Sequence, residues 1–514
     1  MAGRTFAAIG IGSTETEMKI FEFETRKGMR EIDWVSRRLN LGLDAYTLGR
    51  ISQENINDLC ETLNDFRRIM EGYKVEDYRV CATSAFRESR NMSIVRDYIE
   101  KQTGLSIEVI SNSLQRFFDY KAIASVTEEF ENIIQNPAAI VDIGGNGIQI
   151  SLFDNDKLIT TQNIRMGNVS TREKLTHLLK NPEHYVKLVE ELLDHELEGF
   201  NKLYQKDRQI KNLIVVGGNL IELTSSFEKH GRQIPSVTAA QFQKLYDEII
   251  LLEPDEIARK FDVAPEKTSV IMPSAVFCRC MMEHFGVETV WLPGFSLTDG
   301  LAYDYGEKKK YIRCVHSFEE DIIAAARNIS KRYKGEPAHI KNLEAIGLKV
   351  FDKMKKIHGL GKRERLLLQI SIILHNCGKY ISLENVSECA YNIIMATEII
   401  GLSHTEREMV AFTVKLNTSP FVYFDQLSQN ATLTEDQYLT VAKMTAILRI
   451  VNALDRTHRQ KCKNAAVSLK DNELRIVVES QEDLTLEAGT FREKAEFFEE
   501  VFNIRPVFRQ KKKF

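Results

Sequence analysis

The chain has 514 residues, of which 43% are hydrophobic and 28% are charged, and its formal net charge is −4. A chain of this length is expected to form several domains with separate cores, and the small net charge excludes a bulk attraction to nucleic acid or to an anionic membrane. Eight cysteines without a C-x-x-C pair predict reduced thiols, and the lack of a signal peptide or a membrane-length apolar run predicts a cytoplasmic protein.

Two segments share one pattern, an apolar strand that ends in glycines and is followed at once by a second strand. The first joins residues 7–14 to 18–23, and the second joins 139–147 to 148–153. Each predicts a hairpin whose tip gathers backbone N–H groups, which bind phosphate oxygens. One such tip alone is an ordinary tight hairpin, but two predict related half-domains that face one phosphate. The predicted phosphate ligands at the tips are Gly12, Ser13, Thr14, Gly144, Gly145, Asn146 and Gly147.

A third segment, between the two hairpins, also fits a phosphate site. Residues 78–91 predict a strand, a turn at Thr83 and Ser84, and a helix that carries Arg87 in its first turns. A hydroxyl side chain at a helix start caps free N–H groups, and a helix N-terminus beside an arginine attracts anions. These three side chains are therefore predicted to join the phosphate site.

The hydrophobic pattern divides the chain into four predicted domains. Residues 1–126 and 127–305 alternate strands and helices and form the two half-domains. Residues 306–460 have few strands and a repeated 3.6-residue apolar spacing, which predicts a helical domain. Residues 461–514 return to strands, with one helix and a basic tail at 509–513, and predict a small α+β domain.

Residues 82–91 resemble the Ala-Thr-Ser-Ala-x-Arg-x-x-x-Asn segment of the exopolyphosphatase and guanosine pentaphosphate phosphohydrolase family, Ppx/GppA. The segments at 142–145, 215–218, 299–301 and 448–456 follow in the order that this family shows. The resemblance implies duplicated actin-like (ribonuclease H-like) α/β domains, then an all-α HD-like domain and a small α+β C-terminal domain. The further phosphate ligands that it implies are Gly217 and Gly218.

The chain departs from this family at positions that carry its acids. Gly10 stands in place of the aspartate of the family's first loop. Gln115 falls where the family has a glutamate thought to activate the attacking water, and Gln149 falls where the second loop ends in a glutamate. A glutamine binds water or phosphate, but it takes no proton and offers a metal no charge. The predicted catalytic residues are Gln115, Asp142 and Gln149, of which only Asp142 is an acid.

Mg²⁺ is the cofactor that the resemblance implies, because phosphoanhydride hydrolysis typically uses a metal ion held by carboxylates. Asp142 alone would hold such an ion weakly. A replacement acid would be Glu15 or Glu17 beside the first tip, or Asp119 one helical turn after Gln115. With the family's acids replaced, slow or absent hydrolysis is expected.

The predicted helical domain carries a partial set of metal-ligating residues. His339, His375 and Asp455 resemble the metal-binding His, His and Asp of HD phosphohydrolases, but Asn376 replaces their bridging aspartate. Because an amide adds no negative charge, a two-metal catalytic site is not expected, and the domain is predicted to bind rather than to cut. The alternative is that these histidines only pack between helices.

Three functions remain open on the sequence. The first is a phosphohydrolase that removes terminal phosphate from polyphosphate or a guanosine polyphosphate, alone or as a homodimer. The second is a catalytically silent relative that binds such a ligand as a sensor or regulatory protein. The third is a sugar or acetate kinase of the actin-like superfamily, which residues 82–91 disfavour.

Basic clusters, which extend a polyanion site or are merely solvated helix faces, lie at 308–313, 331–334, 353–356, 362–365 and 511–513.

Overall fold

The computed structural model describes residues 4–24, 28–124, 127–178, 185–217, 220–224, 235–263, 265–312, 316–429 and 431–511. The chain forms two compact units, a first unit of residues 1–317 and a second unit of residues 318–514. No helix in the described ranges is both long and apolar enough to cross a membrane. The seven described cysteines are free thiols, in agreement with the sequence prediction.

Residues 4–124 build the first sheet of the first unit. Its strands are β1 (Arg4–Ile11), β2 (Glu15–Glu24), β3 (Gly28–Arg38), β4 (Asp77–Ala82) and β5 (Ile107–Val109), and its helices are α1 (Leu41–Thr47), α2 (Gln53–Gly72), α3 (Ser84–Arg87), α4 (Met92–Thr103) and α5 (Asn112–Ala124). The strand order is β3-β2-β1-β4-β5. The β1–β2 and β2–β3 pairs are antiparallel, whereas the β1–β4 and β4–β5 pairs are parallel.

The helices of this half form where the sequence supplies caps and an apolar face. The side chain of Ser52 accepts a hydrogen bond from the Asn55 N–H and so caps α2. Leu59, Leu63 and Phe66 recur at helical spacing on α2, and they are buried against the sheet. This apolar face is what places α2 over the sheet.

The second half of the first unit repeats this plan. Its elements are α6 (Thr127–Ile134), β6 (Ala138–Ile143), β7 (Ile148–Asp154), β8 (Lys157–Ile164), α7 (Asn168–Leu178), α8 (Tyr185–Phe200), a π-helical turn (Asn201–Gln205), β9 (Asn212–Gly217), a 3₁₀ turn (Leu220–Thr224), β10 (Ser236–Thr238), α9 (Ala239–Ile249), α10 (Pro254–Phe261), α11 (Pro265–Phe285), β11 (Thr289–Trp291) and α12 (Leu297–Lys308). The strand order is β10-β11-β9-β6-β7-β8. Within it, β8-β7-β6-β9-β11 reproduces the order and the directions of the first sheet. The predicted duplication is confirmed.

The last helix of the second half, α12, packs on the first sheet. It contacts α5, β1 and β2, and its Leu301 and Ala302 join a buried cluster with Phe6 and Phe118. The ring of Tyr305 stacks on Phe6 with 4.0 Å between centroids. The division drawn from the sequence at residue 305 assigns α12 to the second half, whereas its apolar contacts lie in the first. Because α12 directly follows the second half in the sequence, its packing on the first sheet is not visible from the sequence.

The second unit is helical up to residue 453 and ends in a small sheet. Its elements are α13 (Phe318–Arg332), α14 (Pro337–His358), α15 (Lys362–Leu374), a 3₁₀ turn (Cys377–Tyr380), α16 (Val386–Ala396), α17 (His404–Thr418), α18 (Phe424–Leu427), α19 (Glu435–Ala453), β12 (Ala466–Lys470), β13 (Glu473–Glu479), α20 (Thr485–Phe502) and β14 (Arg505–Lys511). The sheet order is β12-β13-β14. Residues 509–511 of the basic tail belong to β14, which pairs with β13 in parallel. The tail is therefore a strand up to Lys511.

Candidate functional site

The two glycine tips are closed by the same backbone hydrogen bond. The Gly12 N–H donates to the carbonyl of Glu15 at 2.9 Å, and the Gly144 N–H donates to that of Gly147 at 3.0 Å. Both bonds span three residues, so the duplication extends to the turn itself. Because these two N–H groups are used within the turns, they are not the donors that a phosphate would meet.

The two tips meet. A Cβ atom placed on Gly145 would lie 2.9 Å from the Cβ of Ser13, so only glycine allows this approach. Behind the contact, the hydroxyls of Ser13, Tyr46 and Ser84 form a triangle with distances of 2.6, 2.8 and 2.9 Å. Ser13 and Ser84, which the sequence predicts as phosphate ligands, thus bind each other and Tyr46.

The third predicted segment is a single helical turn. Thr83 does not cap α3, since its hydroxyl donates to the carbonyl of Ile11 at 3.1 Å. Arg87 donates to the carbonyl of Ile110 at 2.6 Å and to the side chain of Asn112. The predicted cap is therefore wrong, because the Thr83 hydroxyl is directed toward β1 and makes no cap hydrogen bond with α3 among the described residues. The segment ties β1 and β4 to the start of α5.

Backbone hydrogen bonds from the start of α7 fix the second tip. The carbonyl of Gly145 accepts from the N–H groups of Val169 and Ser170 at 2.9 and 3.0 Å. A Cβ on Gly167 would lie 2.5 Å from the amide nitrogen of Asn146, so backbone packs directly on backbone. These contacts fix the predicted ligands Gly145 and Asn146 in one conformation.

A cavity of about 470 Å³ opens beside the tips, between the two halves of the first unit. Six of the predicted site residues line it, namely Gly12, Thr14, Thr83, Gln115, Asp142 and Gly217. Its other charged lining residues are Glu15, Glu17, Lys19, Glu31, Asp119 and Glu222. Among the described lining side chains, Lys19 is the single cation, so the cavity is strongly acidic.

Asp142 lies at the end of β6 and is 7% exposed. Its Oδ2 atom is 3.5 Å from the Nε2 of Gln115, and a Cβ on Gly217 would lie 3.1 Å from its Oδ1. Gln149 faces Asp142 across the β6–β7 pair, and its amide oxygen accepts a hydrogen bond from Arg116. Burial raises the pKa of Asp142 to about 6, although Arg116 and Arg87 oppose the shift.

The raised pKa of Asp142 makes a prediction for stability. Since the pKa is about 6 in the fold and 3.8 ordinarily, the folded state binds more protons between these values, and the free energy of unfolding falls as pH rises through them. The fall is roughly 3 kcal/mol at most. Asp142→Asn removes the share of the fall that Asp142 contributes, so the pH profile becomes less steep, which urea unfolding in the presence of a chelator would show. A pH profile as steep as that of the unchanged protein would contradict this, and Asp154→Asn, outside the cavity, is the control.

Asp119 supplies a second acidic side chain in addition to the predicted catalytic residues, of which only Asp142 is an acid. It lies on α5 one turn after Gln115, lines the cavity and is 5% exposed. Its Oδ2 atom is buried, and it has no hydrogen-bond partner among the residues that the structure describes. Burial and then the charge of Asp142 raise the pKa of Asp119 well above its usual range. The helical spacing from Gln115 is the sequence signal that marks it as a replacement acid.

The rim of the cavity carries a network that sequence reasoning did not predict. Lys19 on β2 binds Asp299 on α12 at 2.9 Å and Glu31 on β3 at 3.1 Å. Glu17 accepts from Thr298 at 3.1 Å and from the indole N–H of Trp34 at 3.4 Å, and burial raises the pKa of Glu17. Some 280 residues separate Lys19 from Asp299, so no local pattern reveals the pair.

The remaining predicted residues fall outside the cavity lining. Two of them lie near Asp142. The charge of Arg87 lowers the pKa of Asp142, and Gln149 is the cross-strand partner of Asp142 in the β6–β7 pair. Gly144 and Gly147 close the second tip. Gly218 lies outside the described residues. The structure thus brings most of the predicted phosphate and catalytic positions into one place.

The predicted metal ligands of the second unit lie together in its interior. His339 Nδ1 is 2.8 Å from Asp455 Oδ2, and His339 Nε2 is 3.1 Å from His375 Nε2. His375 Nδ1 donates to the carbonyl of Ile372 at 2.7 Å, and burial lowers the pKa of His375 to about 3. Over the described ranges, no three His, Cys, Asp or Glu side chains are grouped to hold a metal ion. The metal role of these residues stays a prediction.

Comparison with known proteins assigns the family. The model of the Ppx/GppA phosphatase family matches residues 24–309, more than half of the chain. The chain belongs to the Ppx/GppA phosphatase family. The model for domain III of Ppx/GppA phosphatases matches residues 323–492 as well. The resemblance drawn from residues 82–91 is confirmed.

Individual Ppx/GppA relatives are distant but extensive. The guanosine-5'-triphosphate,3'-diphosphate pyrophosphatase of Pseudoalteromonas translucida is 22% identical over 506 residues, 92% of this chain and 92% of that protein. The solved structure of the Aquifex aeolicus Ppx/GppA family member has a TM-score of 0.50 at 20% identity, covering 61% of this chain and 100% of that one. An exopolyphosphatase from Cytophaga hutchinsonii has a TM-score of 0.51 at 16% identity, covering 59% and 98%. These likenesses confirm the actin-like fold.

Proposed function

We propose that this Ppx/GppA protein hydrolyses the terminal phosphoanhydride bond of inorganic polyphosphate or a guanosine polyphosphate, and that its turnover is slow. The observation that carries the proposal is that Asp119 and Asp142 line one cavity together with Gly12 and Thr14 of the first tip, which the second tip contacts at Ser13. Family membership supports the reaction class, and the pyrophosphatase and exopolyphosphatase relatives support the two substrates.

The chain's own residues suffice to outline the reaction. Water attacks the terminal phosphorus, the bond from phosphorus to the bridging oxygen breaks, and the leaving phosphate keeps the electron pair. Asp119 takes the proton of the water, since its Oδ2 atom is buried at the cavity and has no hydrogen-bond partner in the described ranges. Gln115 lies within reach of Asp142 and orients the water without taking a proton.

The donor set of the cavity fits Mg²⁺. A bare polyanion meets six lining carboxylates and the single cation Lys19, so it is repelled unless a divalent ion accompanies it. Mg²⁺ usually binds one or two carboxylates together with substrate phosphate oxygens and water. Asp142 would hold the ion, and the bound ion would neutralise the charge of the phosphate.

A second candidate is a binding protein that holds the same ligand without cutting it. The observation that favours it is the pair of amides, Gln115 and Gln149, at positions where the family carries acids. Gln149 is in addition held by Arg116 and does not line the cavity. In this alternative Asp119 only shapes the site.

Phosphate release decides between the two candidates. We expect slow release of phosphate from long-chain polyphosphate or guanosine pentaphosphate with Mg²⁺, and none with a chelator. Asp142→Asn protein purified in the same way is the control, because a contaminating phosphatase would survive that substitution. Release no faster than in this control, together with retained binding of the ligand, would contradict hydrolysis and favour the binding protein.

A further inference from the structure

The outer strand of the first sheet carries a large aromatic side chain into the cavity lining. Trp34 lies on β3, an edge strand, directly opposite Lys19 of β2. Its side chain lines the cavity and is 45% exposed. The hydrogen bond from its indole N–H to Glu17 orients the ring at the rim. A rigid, oriented aromatic surface therefore stands at the mouth of a phosphate site.

Trp34 differs from the other exposed aromatic residues of the first unit by its place in the cavity lining. Other large aromatic side chains of the first unit, among them Tyr73, Tyr78 and Tyr98, are similarly exposed, but they do not line the cavity. Trp34 is one of two tryptophans in the chain, and the other, Trp291, is only partly exposed on β11 and donates to Asn212. An indole at a cavity rim is a surface on which a planar ring stacks.

The charges of the cavity lining also favour a ligand that stacks on the Trp34 indole. Lys19 is the single cation of the described lining, and it is already bound to Asp299 and Glu31. A phosphate chain thus gains little from the described lining side chains, and stacking of a base would add affinity that these side chains do not supply. A cavity of about 470 Å³ is within the range that holds a nucleotide-sized molecule.

We propose that Trp34 is the stacking platform for a purine base, so that the cavity takes a purine nucleoside polyphosphate in preference to an inorganic chain. This rests on the proposed function for the location of the phosphate arm at the glycine tips. The base lies at the rim on the indole, and the phosphate arm extends inward toward Asp142. Trp34 then determines specificity and takes no part in bond breaking.

Tryptophan fluorescence tests the platform without requiring turnover. In Trp291→Phe protein, Trp34 is the sole reporter, and GTP and tripolyphosphate, which carry the same phosphate arm, are compared with Mg²⁺ present. We expect saturable quenching by GTP and none by tripolyphosphate. Titration calorimetry measures the variant that lacks this reporter: Trp34→Ala should weaken GTP binding about 10- to 100-fold and change tripolyphosphate binding less than about twofold. Trp34→Phe should recover most of the GTP affinity, because it retains a ring.

The matched control is Tyr98→Ala, which removes an exposed aromatic outside the cavity. Equal weakening of GTP and tripolyphosphate binding by Trp34→Ala, or no quenching by GTP, would overturn the platform even if phosphate release is observed. Selective loss of GTP binding supports it even if no phosphate is released, which separates this inference from the hydrolase. Where Trp291→Phe fails to fold, the difference between unaltered and Trp34→Phe protein gives the same signal.

Discussion

Asp119→Asn is expected to lower phosphate release about 100- to 10,000-fold, the usual cost of losing a positioned general base. The asparagine keeps the shape of the side chain but takes no proton. Asp119 is buried at the cavity, and no described residue donates a hydrogen bond to its Oδ2 atom. Burial, followed by the charge of Asp142, raises its pKa well above the ordinary value. A raised carboxyl pKa suits a group that must take a proton near neutral pH.

A second substitution tests whether Asp119→Asn lowers the rate by removing a proton acceptor or by disturbing the structure. Gln115 lies on the same helix, one turn before Asp119, and lines the same cavity. We expect Gln115→Glu, added to Asp119→Asn, to restore part of the rate by supplying a carboxylate at the family's position. Asp154→Asn is the control for a general loss of charge in the first unit. A rate within threefold of the unaltered protein for Asp119→Asn, measured from pH 6 to 9, would show that this carboxylate takes no proton.

Gly300→Ala is expected to lower the free energy of unfolding of the first unit by about 4 kcal/mol or more. A Cβ on Gly300 would lie 2.0 Å from the carbonyl oxygen of Phe118 and 2.4 Å from its carbon. The obstacle is the backbone of α5, which cannot rotate away as a side chain does. Helix α12 would have to move outward and lose the packing of Leu301 and Ala302.

Urea unfolding followed by tryptophan fluorescence measures this effect. Both tryptophans lie in residues 1–317, so the signal reports the first unit alone. Gly199→Ala is the matched control, because Gly199 lies in α8 with nothing within 4 Å of its added Cβ. We expect that control to stabilise the unit by up to about 1 kcal/mol, since alanine favours a helix. A similar midpoint for Gly300→Ala and Gly199→Ala would show that α12 yields without cost.

The sequence predicted the parts of the fold whose signals are local. Each hairpin carries its own apolar strand and glycine turn, so the duplication was visible before the sheets were known. The position of Asp119 followed from its helical spacing after Gln115. The same reasoning overestimated Thr83, because a cap is predicted from neighbouring residues, whereas the hydroxyl binds Ile11 on another strand.

Long-range partners escaped the sequence for a physical reason. The Lys19–Asp299 pair and the contact of Gly300 with Phe118 depend on how α12 crosses the first sheet. No periodicity specifies which of several apolar surfaces a helix will choose. Trp34 was overlooked because one exposed tryptophan on a strand has no motif, and its interest arises only from the cavity beside it.

The crossing of α12 has a consequence for the newly made chain. At ~5–20 residues per second, synthesis needs on the order of 10–35 s to proceed from the end of α5 to the start of α12. During that interval Phe6, Phe21 and Phe23 lack the helix that covers them in the finished protein. The N-terminal half therefore leaves the ribosome with an uncovered apolar face and completes its core only after most of the second half has been made. Nascent chains that stall before residue 297 should for this reason bind chaperones and aggregate more than chains that extend far enough beyond residue 308 for α12 to have left the ribosome.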